Sequence, residues 1–240
     1  MRVIKNFFSQ EFAKLKEMNF TDKRQYIWEY YKLHIFFIAL MIFIMGSLIN
    51  TWFINPPKRD YLYISWQAGV IHREPIEGLA GRLSVIVSDP GRYTVTVTDY
   101  TLTGEPQMDQ AMITRFHALL SVGGVHALIA TQHGIYEAAM FGILRPVQEV
   151  LDIVGEHDRD IYAKLMLRLL YISFHPEGDE ELPVVSGDMA ICIAGMPMVE
   201  ELGIRMDDLY IGLIINSERV DELARALIVM YGGDVEGGIG

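Results

Sequence analysis

The sequence predicts an α/β domain carried behind one N-terminal transmembrane helix, and three observations predict it. Residues 33–57 contain no formally charged side chain. Beyond residue 60, short runs rich in β-branched and aromatic residues alternate with stretches whose apolar residues recur at helical spacing. Charge divides at the same place: residues 1–59 sum to +5, with nine basic and four acidic side chains, and residues 60–240 to −16, with 11 basic and 27 acidic.

The apolar run comes first. Residues 35–54 (IFFIALMIFIMGSLINTWFI) are apolar apart from Ser47, Asn50 and Thr51. A helix of this length spans roughly 30 Å, the thickness of a hydrocarbon core. A buried helix of a soluble domain would show a polar face. A cleaved signal peptide would have a shorter apolar core, ending at a small-residue site that residues 50–57 do not offer. We therefore expect an uncleaved anchor over residues 35–55. Seven Lys or Arg precede it and only Lys58 and Arg59 follow closely, which by the positive-inside rule puts the N-terminus in the cytoplasm and the C-terminal domain outside the cell. Tyr26, Trp28, Tyr30 and Tyr31 before the run, and Trp52 and Phe53 at its end, fit the two headgroup layers.

Residues 1–34 read as cytoplasmic amphipathic and juxtamembrane helices. Ile4, Phe7, Phe8, Phe12, Leu15 and Met18 form an apolar stripe, with Lys5, Lys14 and Lys16 off it. Such a helix lies on an anionic leaflet or docks on a partner helix. Thr21 is the expected cap of a second helix that runs into the membrane.

The outer domain is expected over residues 60–233, with a flexible tail at 234–240. Residues 61–66 and 93–99 read as strands. Between them Ile76, Leu79, Leu83 and Ile86 make a helical stripe, ended by Asp89-Pro90-Gly91, although residues 83–87 also suit a short strand. Met108, Met112, Phe116 and Leu119 form the next helical face, and residues 125–130 a buried strand. Helical tracts follow at 135–141 and 147–153. Ile161, Leu165, Leu169 and Ile172 then mark a longer helix, and residues 176–183 a solvated loop. Strand character returns at 189–194, where Cys192 reads as a small buried hydrophobe, and at 209–215. The last helix carries Val220, Leu223, Leu227 and Met230 between Ser217 as cap and Gly232-Gly233 as stop. Alternating strands and helices imply a mainly parallel sheet with helices on both faces.

The order of these segments, with Asp99-Tyr100, then Gly134-Ile135-Tyr136 and Gly142-Ile143-Leu144-Arg145-Pro146-Val147, resembles one lobe of a type II solute-binding protein. The chain as a whole is similar to single-pass membrane proteins of Gram-positive anaerobes that join a Trp28-Glu29-Tyr30-Tyr31-Lys32 juxtamembrane motif to such a lobe. The resemblance implies solute binding or sensing. This chain supplies one lobe where clamshell closure uses two, and Val125-His126 stands where the family commonly has an acidic residue.

With 51% hydrophobic and 21% charged residues the chain is no disordered polyampholyte, and a single Cys excludes a disulfide scaffold. An outer domain this acidic repels nucleic acid. No G-x-S-x-G, Walker A, H-E-x-x-H or G-x-G-x-x-G motif occurs, so no catalytic residues, cofactor or metal are expected. His117, His126 and His133 are not spaced as a ligand pair, and read as packed or hydrogen-bonded.

In α/β sheets, ligands bind beyond the carboxyl ends of the strands, where strand order switches. That rule nominates Trp66, Gln67 and Gly69 after the first strand, Asp99 and Tyr100 after the second, and Thr131, Gln132 and His133 after the third. Alternatively Trp66 belongs to the core, and Thr131 caps the helix after it. Exposed there, Trp66 and Tyr100 would dock another envelope protein or a second copy of the chain. The function expected is that of a membrane-anchored extracellular interaction module without catalysis, and the alternative that of a half-sized solute-binding domain. The partners expected are the lipid bilayer and an envelope protein or itself, with a small-molecule ligand in the alternative.

Overall fold

The computed structural model describes residues 19–54, 56–69, 73–174 and 185–234. It divides the chain into two units, residues 1–57 and 58–240. The stripe at residues 4–18, the loop at 176–183 and the tail beyond residue 234 lie outside the described residues.

In the first unit, helix α1 (Phe20–Ile49) continues without a break into a π-helical turn, Asn50–Ile54. The stretch Tyr31–Ile54, 24 residues, is long and apolar enough to cross a membrane. Phe36, Phe37, Ile42 and Phe43 are all exposed within the unit, as on a helix that is apolar all round. Thr21 is not the cap: α1 starts one residue before it, flanked by Asn19, and no side chain caps it.

The second unit is built on one mixed sheet. Its strands are β1 (Arg59–Trp66), β2 (Tyr93–Asp99), β3 (Ala127–Ala130), β4 (Leu144–Arg145), β5 (Leu169–Phe174), β6 (Val185–Cys192) and β7 (Tyr210–Ile214), in the order β2-β1-β3-β7-β6-β5, with β4 also pairing β7. The parallel arrangement expected holds for β2-β1-β3. It does not hold beyond β3: β7, β6, β5 and β4 all pair antiparallel. β5 and β6 are consecutive among the described strands and pair antiparallel, Leu169 opposite Ile191 and Phe174 opposite Val185.

Alternation along the strands divides the core in two. Leu62, Ile64 and Trp66 of β1 and Ile211 and Leu213 of β7 face one side. Helices α2 (Arg73–Leu83), α5 (Gln148–His157), α6 (Arg159–Met166), α7 (Pro197–Glu201) and α8 (Val220–Met230) cover it. The stripe Ile76, Leu79, Leu83 and Ile86 is buried here, its last residue in a 3-10 turn, Ser84–Ile86, and not in a strand. Tyr63, Leu128 and Ile214 face the other side, under α3 (Pro106–Ser121) and α4 (Gln132–Met140).

Two further expectations are corrected. The run Ile161, Leu165, Leu169, Ile172 is not one helix: α6 ends at Met166, and Leu169 to Phe174 pair with β6. The same residues also fit period two, with Leu170 and Ile172 on one face of the strand, and cross-strand pairing decides between the patterns. Ser217 does not directly cap α8, which follows Arg219. Its hydroxyl accepts the Arg219 N–H at 3.2 Å, holding the turn before the helix.

Candidate functional site

Strand order reverses at β1. The chain passes from β1 through α2 on one face to β2, then through α3 on the other face to β3, on the far side of β1. Beyond the carboxyl ends of these strands, between α3 and α4, lies a cleft of about 570 Å³. Gln67, Tyr100 and Gly134 contribute to it from the strand ends and the start of α4, Met112, Ile113, Phe116 and His117 from α3, and Glu137, Ala138, Phe141 and Ile143 from α4 and after it. Leu102 adds to the rim.

The cleft rests on a chain of rings. Tyr63 and Tyr100 share a hydrogen bond between hydroxyls at 3.0 Å, and the Tyr100 ring lies 5.4 Å from that of Phe116. Burial, and then the bond to Tyr63, push the Tyr100 hydroxyl well above its ordinary pKa, so it stays a neutral phenol. Helix α4 starts hard against β3. Thr131 accepts the Gly134 N–H at 3.3 Å, and a Cβ on Gly134 would stand only 3.0 Å from that of Ala130.

The eight nominated residues divide by role. Gln67 and Tyr100 line the cleft. Gln132 and His133 line a separate hollow of about 570 Å³ over β5, with Asp208 accepting the Gln132 N–H at 2.9 Å. Trp66 is not an exposed anchor: it is fully buried on the opposite face, and its indole N–H donates to the Gly69 carbonyl at 3.3 Å. Tyr100 is likewise buried and is not an exposed anchor. Gly69, at φ 110°, lends the same carbonyl to the Thr101 hydroxyl at 3.0 Å, tying the loop after β1 to the one after β2. Asp99 turns back to accept the Thr101 N–H at 2.8 Å, and Thr131 caps α4. Loop and cap duties therefore take up Gly69, Asp99 and Thr131.

What sequence reasoning missed is the apolar rim. Leu102, Ile113 and Phe141 are 56%, 37% and 78% exposed, and of the stripe expected to bury α3 only Phe116 is buried. The signal was present: Met108, Met112, Ile113, Phe116, Leu119 and Leu120 spread over more of the helix surface than one buried face needs. Among the described residues no three His, Cys, Asp or Glu side chains come together as a metal-ligand set.

Fold and site together define an α/β domain that follows a membrane-length helix and carries an apolar cleft where its strand order switches. No protein-family model, curated protein or solved structure matches the chain.

Proposed function

We propose that the protein is a membrane-anchored extracellular interaction module of the cell envelope, acting without catalysis, and that its cleft between α3 and α4 receives an apolar anchor of another envelope protein or of a second copy. The observation that carries this reading is the rim. Large apolar side chains exposed side by side mark interaction surfaces, and Met and aromatic residues are enriched in them. Orientation follows from the seven basic residues before the span against two just after it, which favour an N-terminus in the cytoplasm and an extracellular domain.

The likeness to a solute-binding lobe supplies a second reading, favoured by one feature of the cleft. Its position at the switch point is where α/β sheets hold small ligands, and Gln67 and Glu137 offer an amide and a carboxylate there.

A photo-reactive residue in place of Phe141, in native membranes, tests the first reading. It should give one discrete cross-linked species, lost on Ile113→Asp with the fold retained. An unchanged pattern in Ile113→Asp ends the proposal. Stabilisation of the chain by a small polar solute, without any cross-link, favours the second.

A further inference from the structure

We infer that the opposite face of the domain carries a site for a small organic oxyanion, a phosphate or carboxylate group, held by Lys164 and Arg168 over Tyr231. This inference stands apart from the cleft and from the function proposed for it.

Near the end of the sheet where β6 finishes and β7 starts lies a cavity of about 530 Å³, lined by Lys164, Leu167, Arg168, Leu169, Cys192, Tyr210 and Tyr231. Two cations converge on one ring: Lys164 Nζ stands 5.2 Å and Arg168 Cζ 5.8 Å from the Tyr231 centroid. Basic side chains are scarce in this domain, 11 against 27 acidic, yet neither of these two has a carboxylate within ion-pair distance among the described residues. Like charges gathered without a counter-charge repel one another, and a bound anion relieves that repulsion.

The guanidinium is also fixed in place. Arg168 Nη1 donates to the carbonyls of Ala194 at 2.6 Å and Cys192 at 3.4 Å, which sets the guanidinium plane and leaves its other N–H groups without a protein acceptor among the described residues. The Tyr210 and Tyr231 hydroxyls likewise have no hydrogen-bond partner there. Asp208, two residues before Tyr210, is held by the Gln132 N–H and lines the other hollow. An ammonium, a guanidinium edge and two phenols form a set of donors whose complement is an oxyanion. A cavity of this size exceeds the volume of the anionic group alone, and Leu167 and Leu169 provide apolar wall for the rest of a small molecule.

Cys192, the only cysteine in the chain, lines this cavity half-buried, not enclosed in the core as expected, and so reports on its occupancy. The test is the rate at which N-ethylmaleimide alkylates Cys192 in the detergent-solubilised full chain, with inorganic phosphate, phenyl phosphate, benzoate or chloride at matched ionic strength. Phosphate compounds, benzoate or both should slow alkylation and raise the melting temperature, and which of them does so identifies the source. Lys164→Gln should raise the half-protecting concentration about tenfold, the loss of one charged hydrogen bond. Tyr231→Phe, which keeps the ring beneath both cations, should raise it less. Equal protection by chloride, no protection by any oxyanion, or protection unchanged in Lys164→Gln would overturn the assignment.

Discussion

The imidazole of His126 completes the join between β1 and the start of β3: its Nδ1 accepts the Tyr63 backbone N–H at 2.8 Å, and its own backbone N–H donates to the Tyr63 carbonyl at 2.9 Å. A side chain stands where a strand would normally offer a carbonyl. Accepting at Nδ1 requires that nitrogen to be unprotonated. Burial pushes the His126 pKa down, Arg219 pushes it further, and Asp60 and Glu222 pull weakly the other way.

Stability should therefore depend on pH through His126. Its folded pKa lies below the unfolded value of about 6.5, so the unfolded chain binds the extra proton. The stabilisation is complete above that value and is lost as pH falls through it toward the folded pKa, at no more than about 1.4 kcal/mol per pH unit. Denaturant unfolding between pH 7.5 and 5.5 should show this loss, and His126→Asn, whose amide oxygen accepts without titrating, should reduce it. An identical slope in the variant assigns the effect to other groups.

Trp66 and Phe141 should separate stability from association. Trp66 is enclosed by the core, so Trp66→Ala should cost about 3–5 kcal/mol. Phe141→Ala, at a side chain 78% exposed, should leave the melting temperature within a degree or two, a change of under about 0.5 kcal/mol, and abolish a cross-link formed from a photo-reactive residue placed instead at Leu102 on the same cleft. A marked loss of stability in Phe141→Ala would place that ring in the core.

Gly212 should tolerate no side chain. It lies in β7 between β3 and β6, and an added Cβ would stand 3.1 Å from Leu144 Cδ1 and 3.2 Å from the Met189 carbonyl oxygen. Gly212→Ala should destabilise by about 1–3 kcal/mol in equilibrium unfolding. An unchanged midpoint would mean that β4 and β6 give way freely.

Topology is tested on intact protoplasts. Added protease should remove the domain from residue 58 onward, leaving the N-terminal segment protected. Full protection of the domain reverses the orientation read from the basic residues.

Much of the fold was legible because the signals were local. The β-branched and aromatic runs of β1 and β2, the stripe of α2 and the spacing of α8 each lie within a dozen residues. Residues 169–172 failed because two periods overlapped on the same side chains, and pairing with β6 chose one. Strand β4, two residues, and helix α7, five, are too short to show any period. The insertion of β7 between β3 and β6 joins segments remote in sequence and leaves no trace in either.

The site was half legible for a related reason. The strand-end rule located the cleft, since Gln67 and Tyr100 lie where strands finish. It could not say which way each side chain turns. Trp66, one residue before Gln67, points to the opposite face by the pleat alone.

The position of β7 has a consequence for how the domain is made. Residues 210–214 supply an inner strand, yet among the described residues they follow every other strand. Until they are delivered, β2-β1-β3 and β6-β5 are two separate ladders, each with an open edge where the missing strand belongs. A nascent domain in that state cannot close its sheet. The same open edges make it, for that interval, the form of the protein most exposed to wrong pairing and to quality-control proteases.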